Sequence, residues 1–132
     1  MTTLPADREL TPEERELILW LISQAPETEE LKLQIDKARV VGLCGCGCPT
    51  VDITVTGVEP AKLPPYKLGD EYTTSYFNVG DFLVEYPPGV VIGVRLDVRN
   101  GLMTELEIYS ANGGEPILLP PPEIMDGYIN RP

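Results

Sequence analysis

The sequence predicts an α+β domain in which N-terminal helices pack on one face of a meandering antiparallel sheet of about five or six strands. Two observations carry this. Helical signals are confined to residues 11–38, whereas alternation of apolar and polar residues dominates from residue 39 to residue 110. The two patterns do not interleave, which disfavours the parallel sheet of βαβ units. At 132 residues the chain is long enough for one domain with one core.

Residues 1–10 show no periodic apolar pattern and read as a flexible arm, leaving residues 11–132 as the domain. Thr11-Pro12-Glu13-Glu14 marks a helix start: Thr at N-cap, Pro at N1, and Glu at N3 to close a capping box. The helix is expected from Pro12 to Gln24, with Leu17, Ile18, Leu21 and Ile22 as its apolar stripe, Trp20 beside it, and Ala25-Pro26 as its stop. Thr28 can cap a second, shorter helix reaching Ala38, although Leu31, Leu33 and Ile35 also alternate as a strand would.

Strand character follows in Val40 to Leu43 and in Val51, Ile53 and Val55, which alternate with Asp52, Thr54 and Thr56. Residues 58–71, with Pro60, Pro64, Pro65 and Gly69, read as a long loop. Strands are expected again at Tyr72 to Phe77, Phe82 to Tyr86, and Val90 to Val98. At Asn100-Gly101 a two-residue turn continued in register sets Leu96 against Glu105. A three-residue loop, Arg99-Asn100-Gly101, instead sets Val98 against Leu102, Val94 against Leu106 and Arg95 against Glu105, and is the expected connection. Residues 110–132 read as an extended, proline-rich tail whose Ile117, Leu118, Leu119, Ile124 and Met125 pack down.

Charge and composition narrow the function. Ten Lys and Arg face 21 Asp and Glu, for a net charge of −11, and histidine is absent. Ser-His-Asp and Cys-His catalysis and His-ligated metals are therefore excluded. The acidic balance argues against nucleic acid and anionic membrane as partners, and for a basic protein. The longest apolar run, residues 17–22, is far short of the ~20 residues of a spanning helix. Residues 1–20 lack a basic stretch ahead of an apolar one, so no secretory signal is expected and the cytoplasm is the expected compartment.

Cys44-Gly45-Cys46-Gly47-Cys48-Pro49 is the segment with distinctive chemistry. Thiols at i, i+2 and i+4 share one face of an extended chain, and the glycines let the backbone curl so that the sulfurs converge on a soft metal. Zinc would need a fourth ligand, for which Asp52, a water or a second chain's cysteine would serve, while copper(I) accepts three sulfurs. The spacing is not the paired Cys-x2-Cys of common zinc sites. Burial as small hydrophobes in a tight turn is the alternative, so the default expectation is no cofactor, with zinc or copper as the departure from it. Thiol redox chemistry is the third option, without a Cys-x-x-Cys pair to support it.

No phosphate-cradling glycine motif is present, and Glu105 with Glu107 reads as a solvated strand face. Tyrosines and acids gather in the middle third, and Asp70, Glu71, Tyr72, Tyr76, Asp81 and Glu85 are the candidate partner-binding residues.

The Thr11-Pro12-Glu13-Glu14 start, the Val40 to Pro49 segment and the Gly101 to Ser110 strand together resemble a family of small bacterial proteins with no assigned activity. In size, acidity and layout the chain is also similar, at the level of class only, to immunity proteins that neutralise bacterial toxins. Neither resemblance implies a catalytic residue. The expected function is a non-catalytic, immunity- or inhibitor-like domain that binds a basic partner through an acidic, tyrosine-bearing face. A metal-thiolate protein using Cys44, Cys46 and Cys48 is the alternative.

Overall fold

Residues 3–9 of the expected arm form an edge strand in the computed structural model, which describes residues 3–129. This strand, β1 (Thr3–Glu9), pairs antiparallel with β2 (Ala38–Cys44), from Thr3 opposite Cys44 to Glu9 opposite Arg39. Met1 and Thr2 lie outside the described residues. A polar stretch carrying Pro5 is suited to an edge, where one side of its backbone needs no partner. Ion pairs hold it in place: Arg39 Nε lies 2.8 Å from Asp7 Oδ1, and Arg8 Nη1 lies 2.9 Å from Glu14 Oε1.

Helix α1 (Pro12–Ser23) begins at the expected capping box. Glu14 N donates to Thr11 Oγ1 at 3.1 Å, and Thr11 N donates to Glu14 Oε1 at 2.9 Å. Leu17, Ile18, Leu21 and Ile22 are fully buried, and each such side chain stabilises the fold by about 1.5–3 kcal/mol.

The second helix is a 3₁₀ segment, Pro26–Lys37, and Thr28 does not cap it. The Thr28 hydroxyl turns back and donates to Ala25 O at 2.6 Å and Ile22 O at 3.3 Å, completing the end of α1. Thr28, Leu31 and Gln34 are buried at intervals of three residues. That is the period of a 3₁₀ helix, and it explains why neither the α nor the β pattern was clean.

The main sheet has six strands in the order β1-β2-β3-β8-β7-β6, adding β3 (Val51–Val55), β6 (Tyr76–Glu85), β7 (Val91–Arg99) and β8 (Leu102–Ser110). It is two three-stranded meanders joined along β3 and β8, where Val51 faces Leu106 and Asp52 faces Glu105. The connection between the meanders, expected as a plain loop over residues 58–71, carries a small hairpin, β4 (Tyr66–Leu68) and β5 (Glu71–Thr73). One face of the main sheet, with Val40, Ile53, Phe82, Val94, Leu96, Leu106 and Ile108, packs on α1 and the 3₁₀ segment. The opposite face is open.

The β7–β8 turn differs from expectation. Asn100 (φ 51°) and Gly101 (φ 79°) are both left-handed, and Arg99 faces Leu102, as in a two-residue type I′ turn. The register then shifts by one residue at Thr104, so that Leu96 meets Leu106 and Val94 meets Ile108. Apolar thus still meets apolar, but the extra residue is a bulge within the strand and not part of the loop. Arg95 consequently faces Glu107, and Asp97 faces Glu105.

Residues 111–121 lack regular structure, and the expected tail closes with a short helix, α2 (Pro122–Met125). Met125 is fully buried and Ile117, Leu119 and Ile124 pack against the core, whereas Leu118 stays 41% exposed. Trp20 Nε1 donates to Asp126 Oδ1 at 2.8 Å, tying α1 to this end of the chain.

Gln34 clasps the β7–β8 turn: its Nε2 donates to Gly101 O at 2.6 Å and its Oε1 accepts from Met103 N at 3.0 Å. Gly101 O also accepts from Ala61 N, so only the Met103 N–H depends on Gln34 alone among these groups. Gln34→Ala is expected to cost about 2–4 kcal/mol in chemical denaturation, from one buried donor left unpaired and the lost packing. Leu33→Ala, at a side chain 72% exposed, is expected to stay within about 0.5 kcal/mol.

Candidate functional site

The cysteine run occupies the turn between β2 and β3. Cys44 ends β2, Gly47 N donates to Cys44 O at 3.1 Å, and Gly47 takes φ 88° to close the turn. Thr50 fixes the far end of this loop to β8: its hydroxyl donates to Ile108 O at 3.0 Å and accepts from Ile108 N at 2.9 Å. The three thiol sulfurs lie within 4.8 Å of one another, with Cys44 Sγ 2.8 Å from Cys46 Sγ. Cys44 is buried, Cys48 half-buried and Cys46 exposed. Cysteines 44, 46 and 48 are therefore brought together, as the metal alternative required, in an arrangement that could hold a soft metal ion.

Their acidities are linked. The Cys44 thiol and the Cys48 backbone N–H stabilise a Cys46 thiolate, lowering Cys46 below the ordinary thiol range. The same contact with Cys46 pushes Cys44 up to about 11. Of this pair Cys46 ionises before Cys44, and the thiolate is the form that binds metal.

A cavity of about 200 Å³ lies against all three thiols, on the open face of the sheet. Asp52, Glu105 and Glu107 line it from β3 and β8, with Tyr109, Ile108 and Ile117 as further walls. Tyr109 covers Gly93, where a Cβ would overlap its ring, and its hydroxyl donates to Asp81 Oδ1 at 2.7 Å. Asp52 was expected here as a candidate fourth ligand, whereas the presence of Glu105 and Glu107 beside the thiols was not anticipated. Their alternation along each strand is legible in sequence, but their grouping depends on the bulge at Thr104 and on the β3–β8 pairing.

Asp52, Glu105 and Asp97 form a row of like charges across three adjacent strands. Burial, a hydrogen bond shared with Asp97 and the charges of Glu107, Asp97 and Asp52 push the Glu105 carboxyl up to about 7. Asp97, Glu105 and Glu107 also converge within 4.8 Å, as oxygen donors that could hold a hard cation. Arg95 partly neutralises them, 3.2 Å from Asp97 and 3.5 Å from Glu107.

The six residues expected to bind a partner are distributed over two elements. Asp70, Glu71 and Tyr72 are exposed on the β4–β5 hairpin, while Tyr76, Asp81 and Glu85 belong to β6. Tyr76 donates to Asp97 Oδ1 and accepts from Arg95 Nη2, both at 2.7 Å, and burial with Asp97 pushes it up to about 12. Asp81 accepts from Tyr109, and Glu85 Oε2 accepts from Gly89 N at 2.9 Å to hold the next turn.

Among the described residues, no helix is long and apolar enough to cross a membrane. No protein-family model matches the chain, and neither a curated protein nor a solved structure matches it.

The raised pKa of Glu105 has a stability consequence of definite sign. Its pKa in the fold, about 7, exceeds the reference 4.5, so the folded state holds this proton more tightly. Stability from this group therefore falls as pH rises from about 4.5 to about 7. Glu105→Gln is expected to remove that part of the decline in unfolding midpoint; parallel wild-type and variant curves across this range would contradict the assignment.

Proposed function

We propose that the protein binds a thiophilic metal ion, zinc or copper, through Cys44, Cys46 and Cys48. The observation carrying this reading is the convergence of three sulfurs within 4.8 Å. A tetrahedral ion about 2.3 Å from each sulfur spaces them about 3.8 Å apart. The Cys44–Cys46 separation, 2.8 Å, needs to open by about 1 Å to match. Exposed Gly45 and Gly47 flank Cys46 and make that adjustment cheap, since a Cβ at Gly47 would meet nothing within 4 Å. The lowered pKa of Cys46, set by its contacts with the Cys44 thiol and the Cys48 backbone N–H, favours the ligating thiolate.

Native mass spectrometry of protein purified under reducing, oxygen-free conditions without chelator tests this. One zinc or copper per chain is expected, lost on denaturation and absent in Cys46→Ser. A bare mass with three thiols, persisting after incubation with either metal, overturns the reading.

A second reading, non-catalytic capture of a basic protein in the manner of an immunity or inhibitor protein, is favoured by the net charge of −11 and by Tyr72, 69% exposed beside Asp70 and Glu71. An exposed tyrosine that follows two acids in sequence, though Lys67 lies opposite it across the hairpin, can anchor a basic surface while the net charge steers its approach. Tyr76, Asp81 and Glu85 would extend the acidic, tyrosine-bearing surface along β6. Affinity capture from the native lysate at low salt is expected to recover one basic protein, and Tyr72→Ala to weaken its binding at least about tenfold. Recovery of no protein, or undiminished binding by the variant, counts against this surface.

A further inference from the structure

The cavity beside the thiols joins two chemistries in one small volume. Cys44, Cys46 and Cys48 lie along it together with the carboxylates of Asp52, Glu105 and Glu107. Three thiolates leave a tetrahedral zinc ion one ligand short. Among the described residues, the thiol cluster includes no carboxylate oxygen within its 4.8 Å limit. The fourth position is therefore open to a ligand from outside the chain as well as to Asp52, and the adjoining space, about 200 Å³, is below the ~300 Å³ at which pockets for drug-sized ligands begin.

The walls state what that ligand should carry. Asp52 and Glu105 face one another across strands, and Arg95 is the cation near them, 3.5 Å from Glu107 and 3.2 Å from Asp97. Like charges set opposite one another destabilise a sheet, and a bound cation relieves that repulsion. Ile117 adds an apolar wall suited to a short methylene linker.

We infer that this cavity takes a small aminothiol, whose thiolate completes the coordination of a zinc ion on Cys44, Cys46 and Cys48 and whose ammonium rests among Asp52, Glu105 and Glu107. The inference rests on the metal reading above. On binding, the S–H bond breaks, its proton goes to solvent and the sulfur lone pair forms the bond to zinc; no oxidation state changes, because zinc is redox-inert.

The test uses the full chain loaded with Co²⁺ as a visible substitute for zinc, under reducing, oxygen-free conditions. Cysteamine, 2-mercaptoethanol and 3-mercaptopropionate are titrated in turn, with affinity expressed per thiolate and read from the sulfur-to-cobalt charge-transfer band. Cysteamine is expected to bind at least about tenfold more tightly than neutral 2-mercaptoethanol, with anionic 3-mercaptopropionate weakest. In Glu105→Gln/Glu107→Gln the preference of cysteamine over 2-mercaptoethanol is expected to vanish. Equal affinities for the three thiols in the wild-type protein, or a cobalt spectrum that none of them changes, overturn the inference while leaving metal binding standing. Failure of the wild-type protein to take up Co²⁺, Zn²⁺ or Cu⁺ overturns both. Uptake of Cu⁺ alone, satisfied by three sulfurs, overturns the aminothiol but keeps the metal site. The wild-type comparison does not depend on the folding of any variant.

Discussion

The pairing of β7 with β8 must bring one apolar face together over α1, and a single extra residue at Thr104 meets that requirement. The type I′ turn at Asn100-Gly101 starts the hairpin in a register that, continued, would set Leu96 against Glu105. The bulge restores Leu96 to Leu106 and Val94 to Ile108, and the Thr104 hydroxyl donates back to Asp97 O at 3.2 Å. Side chains alternate between faces, so the same step decides who meets whom on the open side. Asp97 is brought to Glu105 and Arg95 to Glu107. The charge pattern beside the thiols is thus a consequence of core packing.

The thiol loop has a different physical basis. It contributes little to the core: the main apolar cluster draws on α1, the 3₁₀ segment and the strands, and none of the three cysteines belongs to it. Its position comes from Cys44 at the end of β2 and from the Thr50 hydroxyl, which replaces a backbone ladder at Ile108. Soft donors in a surface turn and hard donors on a sheet face therefore meet at one place.

Local rules were enough where the cause was local. The capping box at Thr11 and the Ala25-Pro26 stop delimited α1 to within a residue, and the Cys-Gly alternation pointed to convergent sulfurs. Sequence reasoning failed where the cause lay elsewhere in the chain. Thr3–Glu9 has no alternation of its own and becomes a strand because β2 offers it an edge. Pro26–Lys37 is a 3₁₀ segment whose Gln34 is held by Gly101 and Met103, partners some 67 residues away that local sequence does not reveal. Glu105 and Glu107 were read correctly as open-face residues, but the neighbours that shift the acidity of Glu105 come from β3 and β7, across pairings that only the register reveals. The acid and tyrosine residues of the middle third are close in sequence yet serve different ends, Tyr76 and Asp81 being committed to hydrogen bonds within the sheet.

The seam between β3 and β8 also governs the order in which the molecule can be completed. All three thiols and Asp52 belong to the first meander, whereas Glu105, Glu107 and Tyr109 belong to the second, at the far end of a long connection. During synthesis the cysteine turn leaves the ribosome well before the strand that walls its cavity, and closing contacts of such long sequence separation is the slow part of folding. A nascent chain consequently displays its sulfurs without their carboxylate neighbours for as long as the second meander is unmade, and only the finished chain sets them beside Glu105 and Glu107.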